Sequence, residues 1–313
     1  MKLLARLFMV LGLTLVMIPN VQANEGGDQY PNGAENWFAG AVPPPGLYYI
    51  NYFGYYSGQL KNASGDNVKL NGAVPMVQAT FNAFRFVEMT KVKILGAEYG
   101  VHVIVPVVYQ SMNLSGRNST TGVGDITIDP CILGWNRSQW HAVAAFDINL
   151  PSGAYSKTDP RVSVGANYYS FEPVFAFSYL PKSGWELSSK FMYNIKTTNQ
   201  AADYHSGADF HMDYLAGRHL GKWMIGGSGY ALKQTTNDTV NGQIVPAVPG
   251  LWDAGREGQV FAIGPSAGYT NARQMSFLAQ WQHELLVANR FGGDKFWFKM
   301  VMPTSSIVHG PKQ

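Results

Sequence analysis

The sequence predicts an all-β protein: a transmembrane antiparallel β-barrel of about twelve strands with a short plug-like N-terminal segment. Three observations carry that expectation. The first is an alternation of short and long gaps between stretches of period-two hydrophobicity. The short gaps are Met89–Lys93, Trp135–Gln139, Leu180–Gly184, Arg218–Lys222 and Thr270–Arg273. The long, polar ones are Gly58–Gly72, Gln110–Thr121, Pro151–Gly165, Thr197–His205 and Thr235–Arg256, and only Ala288–Gly293 breaks the rule. A bacterial outer-membrane barrel sorts its connections in this way, with tight periplasmic turns and longer outer loops, whereas a soluble sandwich has no reason to. The second is stretch length, since each is long enough for the ~9–11 residues a bilayer-spanning strand needs, well above the five or six usual in soluble proteins. The third is composition. Charged residues make up 14% of the chain against ~25% in soluble domains, and 34 glycines accompany 8 Trp, 17 Tyr and 17 Phe.

Residues 1–23 have the form of a secretory signal. Lys2 and Arg6 supply the positive start, Leu7–Ile18 the apolar run and Val21-Gln22-Ala23 the small-residue cleavage pattern. The run is below the ~18 residues that read as a membrane span. Cleavage after Ala23 removes two cations and no acid, so the net charge falls from +3 to +1, which gives no reason to expect a nucleic-acid partner. Residues 24–45 form an N-terminal periplasmic segment, in or under the barrel mouth, that ends in Pro43-Pro44-Pro45-Gly46. No strand or helix interior accepts that run, while Glu35–Gly40 has the length of one helical turn. The barrel is expected over 46–303 and a polar tail over 304–313. Cys131, the only cysteine, excludes an intramolecular disulfide.

The strands are expected at 47–57, 73–88, 94–109, 122–134, 140–150, 166–179, 185–196, 206–217, 223–234, 257–269, 274–287 and 294–302. Side chains alternate across a strand, and here the two faces differ sharply. Over 94–109, Leu95, Ala97, Tyr99, Val101, Val103, Val105, Val107 and Tyr109 oppose Glu98, Gly100 and His102. Over 122–134, Ile126, Ile128, Pro130 and Ile132 oppose Asp125, Thr127 and Asp129. Trp140, Ala142, Ala144, Phe146, Ile148 and Leu150 oppose His141, Asp147 and Asn149. Tyr169, Phe171, Phe175, Phe177 and Tyr179 oppose Ser170, Glu172 and Ser178. Alternation alone does not say which face points inward. Mid-strand Asp, Glu and His need a hydrated lumen, and aromatics near strand ends (Tyr99, Tyr109, Trp135, Trp140, Tyr179, Trp185, Trp223, Tyr269, Trp281) suit interfacial girdles. Both put the apolar face in lipid. The expected lumen-lining residues are therefore Glu98, His102, Asp125, Thr127, Asp129, His141, Asp147, Glu172, Asp209, His211 and Asp213.

No arrangement of residues singles out catalysis, a cofactor or a metal. Gly264-Pro265-Ser266-Ala267-Gly268 has G-x-S-x-G spacing, but a nucleophile elbow needs a strand–turn–helix, and a turn and another strand follow. Asp125 and Asp129 on one straight strand would stand ~13 Å apart, too far for one metal ion or a glycosidase pair. Asp209, His211 and Asp213 share a face with neighbours ~6.6 Å apart, which a polar pore lining explains without an ion.

Several motifs, in order, resemble those of the meta-pathway phenol-degradation family. They are Glu35-Asn36-Trp37 leading to Pro43-Pro44-Pro45-Gly46-Leu47-Tyr48-Tyr49, Gly122-Val123-Gly124-Asp125 with Pro130 and Leu133-Gly134-Trp135, Pro151-Ser152-Gly153-Ala154-Tyr155 and Gly165-Ala166-Asn167-Tyr168-Tyr169. Glu186-Leu187-Ser188, Tyr204-His205-Ser206-Gly207, Gly229-Tyr230, Gly264-Pro265 and Asn289-Arg290-Phe291-Gly292-Gly293 follow. The resemblance implies an outer-membrane channel associated with catabolism of aromatic or other hydrophobic compounds, with no catalytic residues to carry over. Its expected partners are membrane lipid, lipopolysaccharide and a small hydrophobic or aromatic substrate. Two rivals are a barrel-embedded lipid-modifying hydrolase and a structural or adhesion barrel with a closed lumen. One departure stands out: such barrels commonly end on an aromatic residue, whereas here Phe296, Trp297 and Phe298 are followed by Met302-Pro303 and a polar tail. The exported protein should begin at Asn24. Intact-mass measurement checks this, and a mass that retains Met1–Ala23 would refute both the signal and the topology built on it.

Overall fold

The computed structural model describes residues 29–114 and 116–304, so the expected signal, its cleavage site and nearly all of the tail lie outside the described residues. The strands are β1 (Gly46–Leu60), β2 (Met76–Ile94), β3 (Ala97–Asn113), β4 (Arg117–Val123), β5 (Thr127–Asn136), β6 (Trp140–Asn149), β7 (Ser170–Tyr179), β8 (Trp185–Lys196), β9 (Tyr204–His205), β10 (Asp209–Leu220), β11 (Trp223–Gln234), β12 (Thr239–Val240), β13 (Gln243–Ile244), β14 (Gln259–Thr270), β15 (Ser276–Glu284) and β16 (Phe291–Pro303). β9, β12 and β13 form a small separate sheet in the loops. The others form one antiparallel sheet that closes on itself, since β1 pairs with β16 and the β2–β3 ladder joins the two ends. β4 and β5 pair with successive parts of β3. Counted as one stave they make the wall a closed barrel of twelve strands.

The connections sort by length onto the two ends. Turns at 95–96, 137–139, 180–184, 221–222 and 271–275 lie at one end, where β1 begins and β16 finishes, with Tyr48 opposite Pro303. The loops 61–75, 150–169, 197–208 and 235–258 lie at the other. At the turn end Trp140 packs on Tyr179 with ring centroids 4.3 Å apart, and Trp223 on Tyr269 at 4.9 Å. Both Trp rings are 57% exposed on the outer face, as an interfacial girdle requires. Across the apolar band Phe175, Phe191 and Phe210 stack along adjacent strands. No helix among the described residues is long and apolar enough to cross a membrane.

Three local expectations are corrected. Met89–Lys93 is not a turn: the β2–β3 ladder continues through an irregularity there, and the chain reverses at Leu95-Gly96. Both residues have positive φ, 52° and 75°, the geometry a two-residue hairpin uses to match strand twist. Gln110–Thr121 is not a long loop either, because β3 and β4 extend as a paired hairpin to Asn113 and Arg117. A strand beyond the lipid needs no apolar face, so the period-two signal fades while the ladder persists.

The third correction concerns Ile132, expected on the lipid face. Gly100 pairs with Ile132 and His102 with Asp129, so β3 advances two residues while β5 advances three. That bulge inverts the alternation beyond it. Pro130 has no N–H to lose there, and Cys131 N–H donates to Asp129 Oδ1 at 2.7 Å. Ile132 therefore turns inward beside Val87, Met89, Val143 and Ala176. Elsewhere parity holds. Val103→Arg on the outer face should cost roughly 2–4 kcal/mol near the midplane, whereas Thr127→Arg should fold and alter conductance. Urea titration in lipid vesicles checks the pair, and equal destabilisation would invert the assignment of faces.

Candidate functional site in the barrel lumen

Residues 29–45 of the N-terminal segment run through the lumen from the loop end to the turn end. Irregular backbone has no ladder to pair with and must find other acceptors, and the inward-facing side chains of the wall supply them. Gln29 Nε2 donates to Asp125 Oδ2 at 2.6 Å, and Ser170 Oγ donates to Gln29 Oε1 at 2.6 Å. Asp213 accepts three bonds, from Tyr30 OH at 2.7 Å, Gly33 N–H at 2.7 Å and Glu35 N–H at 3.0 Å. Lower down, Trp37 Nε1 donates to Ser266 Oγ at 2.8 Å and Gly40 N–H to Ser178 Oγ at 2.9 Å. Glu35–Gly40 is not the helical turn its length suggested: Phe38 has φ 60°, and the chain reverses by Ala41 N–H to Phe38 O at 2.9 Å. Two glycines make the close passage possible. Gly33 has φ +87° with Gln282 Oε1 where a Cβ would sit, and a Cβ on Gly40 would fall 2.3 Å from the Phe177 carbonyl carbon.

At mid-lumen the segment presents Glu35 to a polar waist. Arg85 Nη1 lies 2.6 Å from Glu35 Oε1 and Lys299 Nζ 2.6 Å from Oε2, with Tyr52 OH donating to Oε1 as well. Burial alone would raise the carboxyl's pKa, but the Lys299, Arg85 and Lys190 charges hold it well below the usual carboxylate range. Arg85 Nη2 is 2.9 Å from His102 Nδ1, and His102 Nε2 is 3.1 Å from Asp147 Oδ1. Two cavities meet at this waist, both lined by Glu35, Arg85, His102, Asp147 and Lys190. The one towards the loops has a volume of about 280 Å³ and includes Phe81, Ile104, Val108 and Trp297. The one towards the turns has about 350 Å³ and includes Val42, Met89, Ile132, Val143 and Leu278.

The structure brings part of the expected set together. His102, Asp125, Thr127, Asp129, Asp147 and Glu172 line one or both cavities. Asp213 anchors the N-terminal segment, and the buried His211 ring lies 4.9 Å from that of Tyr30. Asp209 is ion-paired with Lys196 in the wall. Glu98 is half-buried towards the turn end, and His141 bonds Asn136 there at 2.8 Å. Asp129 is not a straight-strand partner of Asp125; the bulge carries it to His102 and Asp147, whose ligand atoms all lie within 4.8 Å. With Arg85 donating to Nδ1, the proton of a neutral His102 sits on Nε2 facing Asp147. His102 Nε2 lies 3.1 Å from Asp147 Oδ1, yet neither atom, nor Asp129 Oδ2, makes a hydrogen bond of good geometry, and the Arg85 cation against the other side of the ring disfavours a metal ion among them. Ser266 lies inside β14, not on an elbow. Sequence reasoning missed Glu35, Tyr52, Arg85, Lys190 and Lys299. The available signal was a lone cation at inward parity within an apolar run, as in Phe84-Arg85-Phe86 and Phe298-Lys299-Met300.

The same architecture occurs in solved barrels. An outer membrane channel from Pseudomonas putida F1 superposes with a TM-score of 0.69 at 11% identity, covering 84% of this chain and 96% of that one. Remoter likenesses are the translocator domain of the autotransporter NalP from Neisseria meningitidis (TM-score 0.49, 8% identity, 84% and 90% covered) and the Pseudomonas putida toluene transporter TodX (0.45, 8%, 87% and 91%). No curated protein sequence matches. Residues 53–300 match the family model described as "Putative MetA-pathway of phenol degradation", and the chain belongs to that family.

Proposed function

We propose that this protein is a passive outer-membrane channel for small hydrophobic or aromatic compounds, held closed by its own N-terminal segment. The observation that carries the reading is the pair of largely apolar cavities stacked between the loop end and the turn end, met at the waist by Glu35. A lumen of this kind dissolves a ring-sized solute on each side and presents hydrogen-bonding groups between. Membership of a phenol-degradation family agrees with that cargo. The long loops then face outward, beside lipopolysaccharide, and the tight turns and both barrel termini face the periplasm. Export follows removal of residues 1–23, with 24–45 as the plug, 46–303 as the barrel and 304–313 as the tail. The inward-facing His102, Thr127, Asp129, Asp147 and Glu172 are the polar lining past which a solute moves. The role is passage without chemical conversion.

Occupation of the lumen by the segment also fits a structural barrel that never opens, and two measurements separate the readings. Deleting the gene and following initial uptake of labelled phenol, alkylphenols and a sugar should show slower entry of the aromatics only. An unchanged rate for every aromatic would reject selective transport, and an equal loss for the sugar would leave a general porin. In planar bilayers Asp213→Ala, which strands three donors at ~1–3 kcal/mol each, should raise conductance well above that of the unaltered protein. Acid should act late. A carboxylate with a lowered pKa contributes fully above its unfolded value near ~4.3 and is lost only as pH falls through the lowered one. Glu35's share of closure, read as the conductance difference between the unaltered protein and Glu35→Gln, should therefore be unchanged from pH 7 to 5, and loss of that difference by pH 5 would contradict a Glu35 latch.

A further inference from the structure

Arg85 and Lys299 share a single ionic partner. Among the described residues, Glu35 is the only carboxylate within 4.0 Å of either cation. Lys190 has none at that distance; it is 9% exposed, lines both cavities, and sets its ammonium 4.6 Å from the Tyr30 ring centroid. The other acids nearby are committed elsewhere: Asp213 to the N-terminal segment, Asp147 to His102, Asp129 in part to Cys131 N–H. If the segment leaves the lumen, Glu35 leaves with it, and Arg85 and Lys299 lose the one carboxylate within 4.0 Å of them among the described residues, although Asp213 is released from its bonds to the segment. Breaking a buried pair on one side is costly because the surviving charge has lost both water and partner. Opening is thus opposed unless another carboxylate enters the place that Glu35 vacates.

We propose that the lumen recognises solutes carrying one carboxylate on an apolar ring, and that such a solute opens the channel by exchanging with Glu35. The proposal rests on the passive-channel reading and narrows its cargo to aromatic and alicyclic acids. A carboxylate accepts two parallel hydrogen bonds from a guanidinium, and Lys299 and Lys190 stand on the same waist to complete its neutralisation. On the loop side, Phe81 and Trp297 meet with ring centroids 4.7 Å apart beside Tyr52 and Arg85. On the turn side, Val87, Met89, Ile132 and Val143 border the same waist. Either chamber can take the ring while the carboxylate stays at the cations. Glu35 is then a tethered copy of the ligand's charged end. A ligand can shift the equilibrium only by binding the open state better than the closed one, and exclusion by Glu35 supplies that difference.

The test uses the full chain in planar bilayers, with benzoate, phenol and acetate added separately at equal concentration and pH 7. Benzoate has the ring and the charge, phenol mainly the ring, acetate only the charge. Benzoate should raise open probability at concentrations at least about tenfold lower than either control, since one charged hydrogen bond is worth ~1.5–3 kcal/mol and a factor of ten is ~1.4. Benzoate should also expose residues 29–45 to added protease. Lys190→Met and Lys299→Met should move the half-effective benzoate concentration up by about tenfold, and Glu35→Gln should stay open without ligand. Equal potency of phenol and benzoate in the unaltered protein would overturn the proposal, as would a benzoate response indifferent to both lysines. If phenol still passes through an open channel while benzoate does nothing, the carboxylate reading fails and the channel reading survives. If neither ligand nor Glu35→Gln yields any conductance, both fail.

Discussion

Within lipid a backbone N–H or C=O has no water to turn to, and each one left unpaired costs several kcal/mol. A sheet meets that demand only by closing on itself, here by the β1–β16 and β2–β3 ladders. Closure fixes the rest. Once each strand is bound on both sides, successive side chains must point alternately to lipid and lumen, and the sequence can assign two solvents residue by residue. The outer face takes Phe175, Phe191 and Phe210; the inner takes Glu172, Asn194 and Asp209 from the same strands. A polar inner face then needs partners of its own. In a twelve-stranded wall these come partly from the neighbouring strands, as Lys196 meets Asp209, and partly from the threaded N-terminal segment.

That dependence explains what could be read in advance. Parity is local, so His102, Asp147 and Glu172 were legible as inward residues from neighbours one position away. The bulge at Asp129–Ile132 was not, because Ile128, Pro130 and Ile132 keep an unbroken apolar period while the backbone shifts register by one residue. Pro130 was the one local hint, since proline in a central strand is tolerated at a bulge. The β3–β4 extension was hidden for the opposite reason: its ladder persists where no lipid demands apolar side chains. Strand existence was fixed by alternation, strand ends by where the membrane stops. Sequence carries that second boundary only weakly.

The waist was invisible for a different reason. Glu35 meets Lys299 across 264 positions of sequence and Arg85 across 50, and no pattern in either neighbourhood announces the other. What a sequence can show is an unexplained charge, a lone Arg85 or Lys299 at inward parity among Phe, Val and Met. Such a residue requires an opposite charge somewhere, since an isolated ion buried in low dielectric is far too costly to persist. In a barrel with a free N-terminal segment, the partner can be supplied by a part of the chain that is not in the wall.

A plug held by apolar contacts alone would be a poor gate for an apolar cargo, because cargo and plug would compete for the same cavities without distinction. A plug held by a carboxylate differs. Its attachment is strong while the cations have no alternative and weak once an equivalent group arrives, because exchanging one carboxylate for another leaves the number of buried pairs unchanged. The apolar chambers on either side then contribute what Glu35 lacks, namely burial of a ring at ~25 cal/mol per Å² of apolar surface. In the proposed exchange, charge would set which solutes can enter and ring burial which of them win. The two contributions come from different walls of the same lumen, Arg85 and Lys299 at the waist and Met89, Ile132 and Trp297 beside it, so each can be altered without removing the other.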